Sequence, residues 1–473
     1  MKPPFDIAGD LDTPVSAFAK LEPFSPCFLL ESVEGGERLG RYSFIGFGDR
    51  LQVRLDADGL AVGEWRGAAA ASSGSVQRTP APRDQAELLA ALRAALARVP
   101  QPSPALEQVP LAGGLVGYAA YDIVRYFERL PTLAAPLPGV PLMHLVAPRS
   151  LLVFDHVSRA IALLHAGSES ERAALRAEIV AALRGPVPPR IATSGFSAPR
   201  PALGRAAYCA GVRRVQDYIA AGDVYQLVLA SRFAGEHALD PFQVYRALRL
   251  INPSPYMYFC RLDDITVVGS SPEALVKLSA GQAELRPIAG TRARDDDPQR
   301  DAMLESELLA DAKENAEHVM LVDLARNDLG RVASAGSVRV EPYRCVERYS
   351  HVMHMVSGVR GRLAPGRDAF DLFAACFPAG TLVGAPKVRA MQIIEELEPV
   401  RRGLYGGTIG YFGTGGTMDQ AITIRTLVFQ GNRYSFQAGA GIVADSRPDA
   451  EYDEVLAKSA ALLRALTLAE EGL

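Results

Sequence analysis

Two glutamate pairs with Glu-x-x-Glu spacing lie far apart in this chain, Glu314/Glu317 and Glu451/Glu454. Both pairs fall in segments whose residue pattern predicts helices, so the two carboxylates of each pair should project from one helix face. If the two faces converge, their hard oxygen ligands could hold Mg²⁺ against an anionic substrate. A single such pair is more typical of a solvated helix face. The neighbouring sequence is therefore needed to distinguish a metal site from an ordinary surface.

Two glycine-bearing segments in the second half of the chain could bind an oxyanion through backbone amides. One ends a predicted strand with Gly290 and the hydroxyl of Thr291, and the other carries Gly439, Ala440 and Gly441. A glycine lets backbone N–H groups approach an anion without interference from a Cβ atom. The Gly-Ala-Gly segment is no dinucleotide fingerprint, because the third glycine and the βαβ context are missing. Taken alone, each segment is more often structural than functional.

Further side chains could add acid–base and anion-binding chemistry. Arg425 lies inside an apolar predicted strand, where burial would require either a substrate carboxylate or an internal salt bridge. The hydroxyl of Tyr405 could donate to the same anion, or its ring could simply pack. Glu273 follows a proline after a predicted strand, where it is either a buried general acid with a raised pKa or an ordinary helix-start residue. His351 and His354 are predicted as neighbours on a helix, which suits a metal site or ordered core histidines.

The elements that position these groups follow from apolar periodicity and from glycine and proline turns. Short β-type runs dominate the first part of the chain, whereas strands mix with helices in the second part. The strands are grouped rather than strictly alternated with helices, which predicts an α+β fold with large mixed β-sheets, sandwich-like at the core and surrounded by helices. The elements nearest the candidate residues are helices predicted at 240–250, 303–324, 385–397 and 449–466, and a strand at 422–429.

A segment rich in proline, serine and glycine, 185–204, predicts a linker between two regions. We therefore predict an N-terminal region over residues 1–184 and a catalytic domain over residues 205–473. The Ala/Ser/Gly-rich stretch 68–83 predicts a mobile loop.

Composition argues against several classes of function. The 473 residues are 48% hydrophobic and 22% charged, with a formal net charge of −4. This balance gives no electrostatic reason to expect nucleic acid or an anionic membrane as a partner. The five cysteines are scattered without Cys-x-x-Cys spacing, which favours free thiols in a reducing compartment. We see neither a signal-peptide pattern nor an apolar run long enough to span a bilayer, so we expect a cytoplasmic protein.

Several long blocks, in order along most of the chain, resemble the chorismate-utilising enzymes and specifically anthranilate synthase component I. The resemblance implies the chorismate-binding enzyme fold and a lyase that converts chorismate and ammonia to anthranilate and pyruvate, the first step of tryptophan biosynthesis. It also implies a requirement for Mg²⁺. The blocks are Leu29-Leu-Glu-Ser32, Gly40-Arg-Tyr-Ser-Phe-Ile-Gly46, Asn252-Pro-Ser-Pro-Tyr-Met257, Glu317-His-Val-Met-Leu-Val-Asp-Leu-Ala-Arg-Asn-Asp328 and Phe377-Pro-Ala-Gly-Thr-Leu-Val-Gly-Ala-Pro-Lys387.

Carried over by position, the resemblance divides the four glutamates. It implies that Glu317 and Glu454 are the metal ligands and that Glu314 and Glu451 support them. It further implies a set of groups that hold the carboxylates of chorismate, namely Gly290, Thr291, Tyr405, Arg425, Gly439, Ala440, Gly441 and Lys458.

The resemblance also implies which residues carry the chemistry. Glu273 matches the acid that protonates the departing C4 hydroxyl, and His354 matches the histidine associated with loss of pyruvate. Gln226 stands where isochorismate and salicylate synthases place a lysine that activates water, which fits ammonia as the nucleophile. Ala289 stands where aminodeoxychorismate synthase component I has a nucleophilic lysine, which disfavours para-aminobenzoate synthesis. Aminodeoxyisochorismate synthases share both residues but stop before pyruvate leaves, so that activity stays an alternative.

Two of the blocks resemble the tryptophan site of feedback-inhibited members of the family. They imply that tryptophan contacts Ser32, Pro255, Tyr256 and Met257, although the same residues would also suit a purely structural β-core. The chain has no glutamine-amidotransferase cysteine motif. The resemblance therefore implies a separate glutaminase subunit, anthranilate synthase component II, as the source of ammonia. A subunit that binds tryptophan without catalysis is a further alternative.

Overall fold

The computed structural model describes residues 4–33, 40–65, 76–106, 108–189, 195–348 and 352–473. The α-helices are α1 (Pro14–Lys20), α2 (Gln85–Ala97), α3 (Glu169–Arg184), α4 (Arg205–Ala220), α5 (Pro241–Ile251), α6 (Pro298–Ala310), α7 (Ala312–Gly330), α8 (Ala369–Cys376), α9 (Lys387–Leu397) and α10 (Pro448–Glu471). Short 3₁₀ turns occupy Glu22–Phe24, Tyr121–Tyr126 and Gly380–Leu382.

The strands of the first half are β1 (Phe5–Ala8), β2 (Pro26–Glu31), β3 (Tyr42–Asp56), β4 (Gly59–Trp65), β5 (Gln77–Thr79), β6 (Gly114–Ala119), β7 (Met143–Asp155), β8 (Ala160–His165) and β9 (Arg200–Pro201). The central strands are β10 (Gln226–Glu236), β11 (Tyr256–Leu262), β12 (Ile265–Ser271), β13 (Ala274–Ser279), β14 (Gln282–Leu285), β15 (Ile288–Ala293), β16 (Arg339–Val340), β17 (Cys345–Arg348), β18 (Val352–Val356) and β19 (Val359–Arg362). The last strands are β20 (Gly384–Ala385), β21 (Thr408–Gly413), β22 (Met418–Ile422), β23 (Thr426–Gln430) and β24 (Arg433–Ile442).

One large antiparallel sheet organises the molecule. Among the described residues, 21 strands join this sheet, and β15, β18 and β17 form a separate three-stranded sheet. Strands from the two halves of the chain are hydrogen-bonded neighbours, since β2 pairs with β11 and β6 pairs with β21. The helices pack around these sheets and do not alternate with parallel strands, so the predicted α+β class is confirmed.

The described part of the predicted linker is attached to the large sheet. β9 pairs with β10, and the amide of Ser197 donates to the carbonyl of Glu236 at 2.9 Å. Residues 190–194 of that segment lie outside the described residues, as do residues 66–75, which include part of the predicted mobile loop. The division into regions 1–184 and 205–473 stays a prediction.

Helix α10 shows how the core positions the candidate residues. Its inner face buries Val455, Leu462 and Leu466 completely or almost completely, and the helix contacts β24, α4 and α5. Full burial of an aliphatic side chain contributes about 1.5–3 kcal/mol, so this face fixes the rotation of the helix. The first turns of α10 then present Glu451 and Glu454 away from the core.

The helix predicted at 303–324 is wrong in one respect, because it is divided at Asp311 into α6 and α7. The backbone of Asp311 is extended, with φ −66° and ψ 113°, and its carboxylate accepts from the amides of Lys313 and Glu314. An aspartate at an N-cap satisfies amides that have no partner within the helix, and this favours a new helix start over continuation. Helix α7, which carries Glu314 and Glu317, therefore begins at Ala312.

Two further predictions of local structure are wrong. The strand predicted at 422–429 is interrupted between β22 and β23, where Arg425 has a left-handed φ of 49°. His354 lies on strand β18 and not on a helix, whereas His351 lies outside the described residues. The alternation around His354 explains the strand, since Met353 and Met355 are fully buried on one face while the β18 backbone pairs with β15 and β17.

No helix in the described ranges combines the length and apolar character needed to cross a membrane.

Candidate active site

A cavity of about 360 Å³ is lined by residues that lie between Gln226 and Lys458 in the second half of the chain. Helices α7 and α10, the start of β10 and the end of β24 all contribute to its lining, together with the loops before β13 and β23. The sequence-predicted residues that line it are Gln226, Glu273, Glu317, Tyr405, Arg425, Gly439, Gly441, Glu451, Glu454 and Lys458. Three of the four glutamates, one from the first pair and both from the second, therefore meet at one cavity, whereas Glu314 is absent from its lining.

Glu317 and Glu451 lie in an environment of this cavity that disfavours their charged forms. Burial raises the pKa of Glu317, and the negative charge of Glu314 raises it further, against a hydrogen bond from Gln226. Burial likewise raises the pKa of Glu451, with Glu454 adding to the effect. Repulsion between neighbouring carboxylates of this kind favours binding of a cation.

The protein does not supply a complete set of metal ligands by itself. Among the described residues, no group of three or more His, Cys, Asp or Glu side chains is placed to hold a metal ion. Glu454 pairs instead with Lys458, whose Nζ lies 2.7 Å from its Oε1 and also donates to the carbonyl of Gly439 at 3.1 Å. Mg²⁺ characteristically binds through one or two carboxylates and completes its coordination with water and substrate oxygens, so the donor set fits this ion.

Two glycines leave space on the cavity wall for polar side chains. A Cβ atom at Gly439 would lie 2.8 Å from the hydroxyl oxygen of Tyr405, and one at Gly441 would lie 2.6 Å from Nε2 of Gln226. Ala440 is fully buried on the opposite face of β24 and is absent from the cavity lining. The alternation of the strand thus turns positions 439 and 441 toward the cavity, where the hydroxyl of Tyr405 and the amide of Gln226 occupy the space that a Cβ atom would take. The binding of an anion by the backbone of Gly439, Ala440 and Gly441 stays a prediction.

Glu273 and Arg425 lie on the same wall. The hydroxyl of Thr381 donates to Oε1 of Glu273 at 3.0 Å. Burial raises the pKa of Glu273 to about 7, against the opposing effects of this hydrogen bond and of the positive charge of Arg425. A carboxyl group that is partly protonated at neutral pH suits general acid catalysis.

The prediction that Arg425 is buried within a strand is wrong. The residue is exposed at the cavity, in the left-handed turn that separates β22 from β23. Because the chain leaves the hydrogen-bonded ladder at this turn, the guanidinium lines the cavity wall and is not enclosed in the core. It retains the anion-binding chemistry inferred from the sequence.

A second group of predicted residues lies beside the cavity and does not line it. Nδ1 of His354 is 3.0 Å from the carbonyl oxygen of Gly290 and 3.0 Å from the hydroxyl of Thr291. Since a carbonyl can only accept, this geometry assigns a proton to Nδ1. Gly290 has φ +68° at a bulge in β15, and a Cβ atom there would lie 3.1 Å from Oε2 of Glu314. Glu314 also accepts from Arg292 at 3.3 Å, so it lies between this group and the cavity.

Sequence reasoning missed several residues that line the cavity, among them Lys313, Thr381, Gln437 and Ser446. Thr381 falls inside one of the recognised blocks, and its hydroxyl directly contacts Glu273. Lys313 immediately precedes the first glutamate pair, and its charge lowers the pKa of Glu317. Position within a recognised block was the available signal for Thr381, whereas Ser446 carries no such signal.

A separate cavity of about 420 Å³ brings together Ser32, Pro255, Tyr256 and Met257. The pairing of β2 with β11 places Glu31 opposite Met257, which brings the two sequence blocks side by side. The hydroxyl of Ser32 is buried and has no hydrogen-bond partner among the described residues. This arrangement provides an unsatisfied polar atom at the wall of a cavity large enough for an amino acid.

Comparison with known proteins assigns the family. Residues 26–464 match the model of a family described as chorismate binding enzyme. The chain belongs to the chorismate-binding enzyme family. This membership confirms the predicted resemblance and the predicted chorismate-binding fold.

Relatives within the chorismate-binding enzyme family match over nearly the whole chain. Anthranilate synthase component 1 of Thermus thermophilus is 46% identical over 98% of this chain and 97% of that protein, and the same component of Pseudomonas aeruginosa is 44% identical over 99% and 96%. The crystal structure of anthranilate synthase component I from Streptococcus pneumoniae superposes with a TM-score of 0.78 at 33% identity, covering 96% of this chain and 98% of that one. The menaquinone-specific isochorismate synthase of Escherichia coli shares the fold, with a TM-score of 0.69 at 20% identity over 97% of this chain and 92% of that one.

Proposed function

We propose that the chain is anthranilate synthase component I, a lyase that converts chorismate and ammonia to anthranilate and pyruvate. The observation that carries this proposal is Gln226 on the cavity wall, hydrogen-bonded to Glu317. An amide at this position cannot act as a base toward water, which favours ammonia as the nucleophile. The alanine at position 289 removes the other nucleophile known in related enzymes. Nearly full-length relatives with this printed name support the same assignment.

The test is incubation of the purified chain with chorismate, ammonium and Mg²⁺. Anthranilate fluorescence together with released pyruvate is the expected result. Accumulation of an amino-dihydro compound without pyruvate would indicate an aminodeoxyisochorismate synthase instead. Formation of aminodeoxychorismate would indicate aminodeoxychorismate synthase component I.

We assign different steps of the reaction to different residues of the cavity. Arg425, the Tyr405 hydroxyl and the backbone around Gly439 and Gly441 bind the two carboxylates of chorismate and fix the ring. Glu273, held by Thr381, gives its proton to the C4 hydroxyl as the C4–O bond breaks and ammonia forms its bond at C2.

Groups at the edge of the cavity complete the assignment. Lys458 adds positive charge at the α10 side. His354, fixed by Gly290 and Thr291, is assigned to the later loss of pyruvate.

Within the same proposal, Glu317 and Glu454 hold Mg²⁺, with Glu314 and Glu451 in support. Repulsion between these carboxylates supports the assignment. In addition to burial, the negative charge of Glu314 raises the pKa of Glu317, and that of Glu454 raises the pKa of Glu451. When bound, Mg²⁺ would neutralise the carboxylates and polarise the ring carboxylate of chorismate. Lys313 and Lys458 offset part of the negative charge before the metal and substrate arrive.

The pKa of Glu273 predicts the alkaline side of the pH profile. Only the protonated form can donate to the C4 hydroxyl, so kcat/KM for chorismate should be level well below the pKa of about 7 and should approach a tenfold fall per pH unit well above it. The measurement uses a fixed concentration of unprotonated ammonia at each pH, so that the nucleophile does not vary. A kcat/KM that stays constant from pH 7 to 9 while circular dichroism is unchanged would contradict this role.

We also propose that the cavity at Ser32 binds tryptophan and makes the enzyme subject to feedback inhibition. The unpartnered Ser32 hydroxyl would bond to the polar part of the ligand, while Pro255, Tyr256 and Met257 line the space beside it. Tryptophan bound in this cavity would then weaken chorismate binding at the separate active site, and the coupling free energy between the two sites measures the size of this effect.

Ser32→Phe is expected to relieve this inhibition, because the larger ring fills the cavity and removes the hydroxyl. Inhibition should weaken by at least about tenfold, which corresponds to loss of one hydrogen bond of about 1.4 kcal/mol. Activity without tryptophan should change little. The measurement is the tryptophan concentration that halves anthranilate formation, with Ser32→Thr as the control that retains the hydroxyl. If Ser32→Phe and the native chain are equally sensitive to tryptophan, this cavity is not the tryptophan site.

We further propose that the ammonia comes from a separate glutaminase subunit, anthranilate synthase component II. The native chain alone should use ammonium and fail with glutamine. Addition of component II should confer glutamine-dependent activity, and glutamine use by the isolated chain would contradict the proposal.

A further inference from the structure

Two recognised sequence blocks end in charged residues that the proposed reaction does not use, Asp328 and Lys387. The structure joins them, since Nζ of Lys387 lies 2.7 Å from Oδ2 of Asp328. Their side chains are only 13% and 12% exposed, for Lys387 and Asp328 respectively. A largely buried ion pair adds little stability over apolar residues of similar volume, because desolvation of two charges offsets their attraction. The pair therefore calls for a role other than holding α7 to α9.

A small cavity of about 40 Å³ is lined by Asp328 of this pair and by two residues of the active-site cavity. Asp328, Glu273 and Thr381 all line it. Glu273 and Thr381 also line the large active-site cavity, so these two residues form the wall between the two spaces. The volume exceeds the roughly 10–15 Å³ that one water molecule needs, and Glu273, Asp328 and Thr381 supply polar partners for water in a lining that is otherwise largely apolar.

Helix α7 explains the placement. Asp328 follows Glu317 by eleven residues, which is about three turns at 3.6 residues per turn, so both project from nearly the same helix face. Glu317 on that face lines the active-site cavity, whereas Leu321, Leu324 and Asp328 line the small one. One helix face thus reaches from the proposed metal site to the far side of Glu273.

We propose that Asp328, paired with Lys387, is the positioning and proton-supplying group that returns Glu273 to its protonated form after each turnover. The proposal rests on the proposed function, in which Glu273 loses one proton to the C4 hydroxyl as that group leaves as water. The carboxylate of Glu273 regains a proton through water in the small cavity, and Asp328 replaces that proton from solvent at the partly exposed ion pair. No oxidant, reductant or additional reactant is required.

The charged groups around this path are consistent with proton exchange. Asp328 faces Lys387 and Arg331, and burial raises its pKa against both positive charges. Glu273 faces Thr381 and Arg425, and burial raises its pKa as well. Because the pKa of each carboxyl is raised, a proton passes between them without the large energy difference that a strongly acidic carboxyl would impose.

The remaining polar groups of the small cavity do not supply an alternative proton. Arg286 lines it but is paired with Glu347. The thiol of Cys376 also lines it, and burial raises the pKa of that thiol well above the neutral range. Among the described residues of this lining, Asp328 is therefore the group suited to exchange a proton with Glu273.

The test compares Asp328→Asn with Asp323→Asn, which makes the same change at a 66% exposed position of the same helix. Loss of chorismate is followed at saturating chorismate and ammonia. We expect Asp328→Asn to lower kcat at least tenfold, leave KM for chorismate within twofold, and recover rate as formate or acetate is added at fixed ionic strength. Asp323→Asn should match the native chain and show no response to added acid. Asp328→Glu should retain most of kcat because it keeps the carboxyl.

Unchanged kcat in Asp328→Asn would overturn the proposal. A fall in kcat without rescue by small acids and without a shift of the pH profile would also overturn it, because that result indicates a structural role. If the asparagine variant fails to fold by circular dichroism, Asp328→Ser is judged by the same criteria. Chorismate loss reports the C4 step whichever product forms, so a chain that consumes chorismate without making anthranilate would contradict the proposed function alone.

Discussion

Glu317→Gln is expected to abolish Mg²⁺-dependent turnover while leaving the protein folded. The substitution keeps the size of the side chain but removes its negative charge in the cavity that Glu317 shares with Glu451 and Glu454. Since loss of a group that merely supports a metal ligand costs about 10–100-fold, loss of a ligand itself should lower kcat/KM by at least about 100-fold. Added Mg²⁺ should restore activity only in part.

The same variant should be no less stable than the native chain. Burial and Glu314 raise the pKa of Glu317, so its charged form is less favourable in the folded state than in the unfolded state. A group with a raised pKa lowers stability as the pH rises above its unfolded value, and a neutral amide removes that penalty. The melting temperature at pH 7.5 without Mg²⁺ should therefore be equal or higher.

Controls on the same helices make the result specific. Asp323→Asn on α7 changes an exposed carboxylate and should have no effect on turnover. Glu454→Gln should reproduce the defect from the other helix, whereas Glu470→Gln near the exposed end of α10 should not. Full Mg²⁺-dependent activity in both Glu317→Gln and Glu454→Gln would show that these two residues are not the metal ligands.

Glu273→Gln is expected to lower kcat by about 10²–10⁴-fold, the range typical of losing a general acid. The amide can still accept the hydrogen bond that Thr381 donates, so the wall between the two cavities should persist. Chorismate binding should change little, because the carboxylates of the substrate are assigned to other groups. The defect should therefore appear in kcat and leave KM within a few-fold.

Steady-state kinetics over pH 6–9 measures this prediction, with Thr381→Ser as a control that retains the hydroxyl next to Glu273. The fall in rate above about pH 7 that is expected of the native chain should disappear in Glu273→Gln. Adding Asp328→Asn to the Glu273→Gln variant should cause no further loss, because residues that act in one step are not additive. Retention of more than about one tenth of native kcat, which would fall short of the range for general acid catalysis, would exclude Glu273 as the acid.

Much of the site could be predicted from sequence because local pattern sets the direction of a side chain. The Glu-x-x-Glu spacing placed each carboxylate pair on one helix face, and the first residues of α7 and α10 do meet at a single cavity. Glycines 439 and 441 were predicted to allow close approach, and the space they leave is occupied by Tyr405 and Gln226.

Other features were not predicted from the helix and strand periodicity of the sequence. Asp311 interrupts the predicted helix because its carboxylate caps a new one. His354 becomes a strand residue because β15 and β17 pair on its two sides. The turn at Arg425 exposes a side chain that apolar neighbours had indicated as buried. The error at Asp311 arose from a local side-chain cap, whereas the error at His354 arose because strand pairing between distant segments overrode the local sequence signal.

The most direct test of the central proposal is the stoichiometry of the reaction with Mg²⁺ and ammonium, measured in parallel for the native chain and Glu317→Gln. Chorismate consumed, anthranilate formed and pyruvate released are quantified in the same sample. We expect the native chain to give the three in equal amounts and Glu317→Gln to consume no chorismate above background. Chorismate loss without pyruvate, or equal turnover by both proteins, would contradict the account.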